Sequence, residues 1–210
     1  SSECWSVDGQ FRKFREGDCA TAKAKQKAQD IRRELQEVVR SQPDIRAVGV
    51  AVQLEHYHRM VVLPGASDVL PADPYKAALC SVMFETTKAM RKHAKGHSKV
   101  AFVHDDSNPA YFDELRATYR EFLRFNKTTA KYIGGFQPSD NKITPALQLA
   151  DLIANHTTFL AAKHLDLQDA KVEMQENIGQ LVVWDDSYIR AVLEHGLLKK
   201  GKPLPFELEE

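Results

Sequence analysis

KVAFVHDDSNPAYFDELRATYREFLRF, residues 99–125, contains the change of pattern that decides the fold class. Its first part, Lys99 to Asp106, is a short apolar run that ends on two acids, as a strand does when it runs out into a loop. From Pro109 the period changes. Tyr119, Phe122 and Leu123 recur at helical spacing and supply a buried side, with Ser107 or Asn108 placed to cap the first turn. A strand passing directly into a helix is the repeating unit of an α/β layer structure.

The flanking sequence repeats this alternation. Upstream, DCATAKAKQKAQDIRRELQEVVR reads as an amphipathic helix from about Cys19 to Arg40, ended before Pro43. IRAVGVAVQL (45–54) is β-rich and almost uniformly apolar, as a buried strand would be, and HYHRMVVL reads as its continuation or its partner. DPYKAALCSVMFETTKAMRKH opens a long helix at Asp73 and Pro74. Downstream, KYIGGF (131–136) is a short strand, and TPALQLADLIANHT (144–157) begins a helix that runs to about His164. Thr144 is placed to cap that helix, and Pro145 suits its first position. A last helix runs from Asp185 to His195 and is stopped by Gly196. The expectation is an α/β fold of parallel strands joined by helical crossovers.

The helix at 144–164 carries Leu149, Ile153 and Leu160 on one face, which Leu147, Ala150, Ala154 and Ala161 widen. Gln148, Asp151, Asn155 and Thr158 form one narrow polar line. A solvated face accounts for such a line. A carboxylate among so many apolar residues otherwise needs a partner, since burying it alone costs several kcal/mol or makes it neutral. In α/β sheets ligands gather at the carboxyl ends of strands, where Asp105 and Asp106 stand; Asp is also an ordinary residue for a turn or cap there. Asp105 and Asp151 converging from separate elements would repel unless a cation lay between them. Hard oxygen donors suit Mg²⁺ or Mn²⁺, and such ions activate water and stabilise the leaving oxygen in phosphodiester cleavage.

The order of a strand like KVAFVHDD, a helix, a strand like YIGGF and a helix bearing LQLADLIA (147–154) resembles the domain of unknown function 3800 family. SECWSVDGQFRKF is similar to the segment after that family's first strands, and DPYKAAL to its next helix start. The resemblance covers most of the chain, and LQLADLIA is its most specific part. It implies one ribonuclease H-like domain over residues 1–200, a mixed central sheet flanked by helices, with 201–210 as a C-terminal tail. It also implies a metal-dependent nuclease with catalytic carboxylates at Asp105 and Asp151 and a Mg²⁺ or Mn²⁺ site formed by Asp105, Asp106 and Asp151. Gln148 would orient Asp151 or a bound water, and Lys142 matches a Lys that often precedes the motif. Members usually begin with an Asp-Glu-Ser-Gly strand whose Asp is an expected metal ligand. None occurs in these 210 residues, and the expectation is that sequence before Ser1 supplies it. The alternative is a catalytically inactive ribonuclease H-like module that binds nucleic acid or a protein partner.

Composition bounds these readings. Hydrophobic residues make up 43% and charged residues 28% of the chain, an ordinary soluble balance, and the net charge of zero gives no global pull toward nucleic acid. No apolar run approaches the roughly 18 residues that span a bilayer. Cys4, Cys19 and Cys80 offer neither a disulfide framework nor a zinc motif, so a reducing, cytoplasmic setting is expected. Locally, Arg116, Arg120 and Arg124, continued by Lys127 and Lys131, form a basic stripe that would track a phosphate backbone; a solvated helix face has the same pattern. His56 and His58 alternate as strand neighbours would, without an evident third metal ligand. His104 and His156 adjoin the two acids in sequence and are candidates for proton transfer or for structural hydrogen bonds. Phosphate-cradling glycine loops, nucleophile elbows and dinucleotide fingerprints are absent.

Overall fold

The computed structural model describes residues 47–93, 98–105, 109–140, 143–166 and 179–205, with a few positions between 30 and 42. Of the helix expected from Cys19 to Arg40, residues 30, 33, 34 and 37 are helical, and the rest lies outside the described residues. The main elements are β1 (Ala47–Val52), α1 (Leu54–Val61), α2 (Pro74–His93), β2 (Val100–Asp105), α3 (Pro109–Phe125), α4 (Lys127–Ala130), β3 (Ile133–Ser139), α5 (Pro145–Asp166), β4 (Gly179–Trp184) and α6 (Asp186–Lys199). The chain is therefore α/β, as its alternating pattern leads one to expect. No helix among the described residues is long and apolar enough to cross a membrane.

The strands form two parallel pairs. β1 lies beside β4 in register from Ala47 opposite Gly179 to Val52 opposite Trp184. β2 lies beside β3, with Val100 opposite Ile133 and, after an irregularity, Ala101 opposite Gly135 through to Asp105 opposite Ser139. A single mixed sheet was the expectation. Among the described residues the pairs are not hydrogen-bonded to each other, and neither contains an antiparallel neighbour.

The β1–β4 pair carries the deeper core. Tyr57 and Met60 from α1, Val182 and Trp184 from β4, and Ile189 and Leu193 from α6 pack together in it. This packing explains why HYHRMVVL is not a strand. Tyr57 and Met60 lie one helical turn apart and both face inward, so helical packing overrides the apparent alternation of His56 and His58. Gly179–Trp184 carries no strand signal that stands out in the sequence, and it is pairing with β1 that makes it one.

Two glycines permit close approaches here. A Cβ at Gly49 would collide with the Thr157 hydroxyl, so the glycine lets α5 settle onto β1. A Cβ at Gly196 would overlap the side chain of Val69, and this is why that glycine is present. It does not stop the last helix, which continues to Lys199. The start of the expected tail, 201–210, is tied down: the Lys202 ammonium reaches the Asp68 carboxylate, and that of Lys200, just before it, reaches the Asp68 carbonyl oxygen.

The second pair is more open. Phe122 from α3, Ile133 from β3 and Met83 from α2 form a smaller core, while Ala101 and Val103 on β2 are exposed. Helix α2 lies against both pairs. Toward β4 its Ser81 accepts the Trp184 indole N–H at 3.3 Å, and its buried Glu85 accepts Gln180 at 2.9 Å and Lys88 at 3.3 Å. Charged or polar groups placed so deep are tolerated because each has a partner.

Candidate functional site

Asp105 is the last residue of β2, and the register places Ser139, at the end of β3, opposite it. The Ser139 hydroxyl lies 2.7 Å from that of Thr144, immediately before α5. The Thr144 side chain thus links helix to strand end in addition to any capping. Asp151 follows two turns along α5, which packs on both β1 and β2. Burial first, and then the Asp105 carboxylate, raises the Asp151 pKa above the ordinary aspartate value. Like charges facing each other in a partly desolvated place have this effect. The two acids therefore lie within electrostatic reach of each other.

Other groups join them. Asp73 stands just before α2; its carboxylate accepts the Tyr75 backbone N–H at 2.8 Å and the Tyr111 hydroxyl at 2.7 Å. His104 Nδ1 is 2.6 Å from the Asp105 carbonyl oxygen, and its Nε2 is 3.0 Å from the Tyr75 hydroxyl. A carbonyl can only accept, so Nδ1 carries the hydrogen and, in the neutral ring, Nε2 accepts from Tyr75. Burial raises the Tyr75 pKa, and the Asp105, Asp151 and Asp73 carboxylates add to the shift. Tyr111 is raised by burial and by Asp73. Both phenols stay neutral donors amid these acids.

An aromatic floor continues from this group. Phe136 stacks on Phe112 with ring centroids 5.1 Å apart and on Tyr119 at 5.3 Å, and His104 is 6.1 Å from both phenylalanines. The Arg116 guanidinium lies over Phe112, 5.0 Å from its centroid.

Some expected site residues meet here and others do not. Asp106 and Lys142 lie outside the described residues, as do the side chains of Asn155 and His156. Gln148 is exposed, one turn before Asp151. Among the described side chains of α5, Leu147, Thr157, Leu160 and Ala161 are buried, whereas Ala150 and Ala154 face outward. Small apolar residues fit either face of a helix, so here they misled the reading. His56 and His58 are not strand neighbours. His56 sits on α1 with Nδ1 3.0 Å from Asp186 on α6, and His58 is exposed.

Three of the five basic positions lie on one helix. Arg116, Arg120 and Arg124 share α3, but the helix ends at Phe125, and Lys127 and Lys131 belong to the next short turn. Arg116 is 3.6 Å from Asp113 and Arg124 is 3.5 Å from Glu121, ordinary surface pairs of small energy. Asp73, Tyr75 and Tyr111 were missed as site residues. Asp-Pro is a routine helix start, and only the fold brings Asp73 beside β2.

Among the described residues no three His, Cys, Asp or Glu side chains are gathered as a metal-holding group. Mg²⁺ commonly takes one or two carboxylates and fills its shell with water and substrate oxygens. No family model, curated protein or solved structure matches the chain.

Proposed function

We propose that the chain is a ribonuclease H-like domain of the kind found in the domain of unknown function 3800 family, acting as a divalent-metal-dependent hydrolase of phosphodiester bonds. The observation that supports this most is the placement of Asp105 at the end of β2 and of Asp151 on α5, a helix that packs on β2 and whose start is tied to the end of β3 through Thr144 and Ser139. Asp105 and Asp151 would hold Mg²⁺ or Mn²⁺, and the bound metal would supply an activated water and neutralise charge on the leaving oxygen. The protein groups have separate tasks. The Ser139–Thr144 contact sets where α5 begins, and hence where Asp151 lies relative to Asp105. His104 ties the backbone of Asp105 to α2 through Tyr75. Arg116, Arg120 and Arg124 offer a row of cations along α3 that would steer a polyanion to this end of the fold.

The test is a melting curve with Mn²⁺ and with chelator, for the wild type, Asp105→Asn and Asp151→Asn, beside a nuclease assay on single- and double-stranded substrates. The wild type should be stabilised by Mn²⁺ and should cleave, and either substitution should abolish both effects. A wild type indifferent to Mn²⁺ would sink the metal reading. A second reading, a catalytically inactive ribonuclease H-like module that binds nucleic acid or a protein, is favoured by the lack of a third acid in a metal-holding position among the described residues. Binding of nucleic acid without cleavage in Mn²⁺ would decide for it.

A further inference from the structure

Tyr75 combines two properties that rarely coincide on a protein surface. It is 49% exposed, yet it is fixed at several points. Its N–H is held by Asp73 at 2.8 Å, and its hydroxyl meets His104 Nε2 at 3.0 Å. Its ring stands edge-on to His104, with centroids 6.1 Å apart, and leans on Tyr111 at 5.8 Å. An exposed side chain normally loses rotamer freedom when it binds something. Here the orientation is set beforehand, so a ligand stacking on the ring loses less.

The other exposed aromatics among the described residues lack this setting. Phe125 is 70% exposed, but the Arg124 guanidinium already covers its ring at 4.5 Å. Phe84 is 45% exposed, on the middle of α2 and away from the acids at that helix's start. Tyr75, by contrast, is bonded through its backbone to Asp73 and through its hydroxyl to His104, whose other ring nitrogen meets the Asp105 carbonyl. Through His104 and Phe112 it also connects to Arg116.

We infer that Tyr75 is a positioning residue that stacks an unpaired base of a nucleic acid strand whose backbone passes between the acidic pair and Arg116. This rests on the phosphodiester reading and narrows it, because a base can stack on an exposed ring only if it is free of its own partner strand. The substrate class is therefore single-stranded or frayed nucleic acid. Stacking of this kind tolerates any base, since each has a π-face.

The experiment uses the full chain and a short single-stranded oligonucleotide carrying one fluorescent purine analogue, in Ca²⁺ at low and high salt. Binding to the wild type should quench the analogue. Tyr75→Leu should lose the quench and weaken binding by roughly five- to a hundredfold, equally at both salt concentrations, while Tyr75→Phe keeps the quench. The same oligonucleotide in a duplex should bind less tightly. Unchanged quench and affinity in Tyr75→Leu would overturn the inference. Should that variant melt early, Tyr75→Trp decides instead: its larger ring must deepen the quench, and an unaltered one overturns the inference. Quenching without cleavage in Mn²⁺ would leave the stacking in place and remove the hydrolase. A wild type that binds no oligonucleotide removes both.

Discussion

The two strand pairs are built for different ends. Around β1 and β4, Tyr57, Ile189, Leu193 and Leu197 are wholly buried, and the polar groups nearby are paired inward. Around β2 and β3, two residues of β2 are exposed, and the carboxylates, phenols and His104 collect at the strand end. Burial is what stabilises, at about 25 cal/mol per Å² of apolar surface. Gathering like charges costs stability. The larger buried cluster thus lies in one half and the gathered carboxylates in the other, where Met83 and Leu115 are nonetheless fully buried.

The largest effect should come from the first half. Leu193→Ala removes a fully buried side chain and should cost about 2–5 kcal/mol in denaturant unfolding. It should leave any Mn²⁺ response of the folded protein intact. A loss below about 1 kcal/mol would break the comparison.

Next in size is Gly196→Ala. On an isolated helix it would be worth up to about 1 kcal/mol of stabilisation. Here the new methyl meets Val69, a branched side chain stiff at χ1 that cannot swing away. The expected outcome is a net loss of about 1–3 kcal/mol. Val69→Ala should recover part of it in a double-mutant cycle. Additive losses would show that the contact is not the cause.

Two aspartates sharpen the contrast. Asp186, in the β1–β4 half, accepts from His56 at 3.0 Å and Arg190 at 2.9 Å, and its pKa is lowered, chiefly by the His56 bond. A lowered folded pKa contributes stability above the unfolded value, near pH 4, and loses it as pH falls through the folded value. Asp186→Asn should therefore destabilise at neutral pH, by up to about 1 kcal/mol given its exposure. Asp151 has the opposite sign. Its raised pKa makes the ionised form a cost at neutral pH, relieved as pH falls through the raised folded value. Asp151→Asn should leave the metal-free melting temperature unchanged or higher. Marked destabilisation in chelator would make Asp151 half of a structural pair instead.

The smallest effect on folding should come from the stripe. Replacing Arg116, Arg120 and Arg124 together by Gln should change stability by no more than about 0.5 kcal/mol per site. In oligonucleotide titrations at several salt concentrations, the salt dependence should fall by up to roughly three phosphate contacts' worth. Equal slopes would reduce the stripe to a solvated face.

The sequence made the order β2, α3, β3, α5 legible because each element there has a clean period and an obvious start. It also singled out Asp105 and Asp151, since a strand end and an apolar helix are both costly or conspicuous places for an acid. What stayed hidden depended on tertiary contact. Residues 54–61 look alternating until Tyr57 and Met60 have a core to face. Gly196 reads as a stop until Val69 is beside it. Gly179–Trp184 becomes a strand by lying next to β1. Asp73 and Tyr75 look like nothing more than a helix start until His104 arrives from 29 positions further along the chain.

Helix α2 touches both pairs, and among the described residues no ladder joins them directly. The coupling of unfolding therefore passes through α5, which also packs on β1 and β2, and through the side chains of α2 rather than through a shared sheet. The start of α2 presents Asp73 and Tyr75 to the acidic end, and its middle presents Ser81 and Glu85 to Trp184 and Gln180. The β2–β3 pair can then open as a sub-global unit while β1–β4 stays closed, and its amides exchange with solvent first. Whatever ligand bridges Asp105 and Asp151 would close that unit, so occupancy of the site would be registered as slower exchange along two strands.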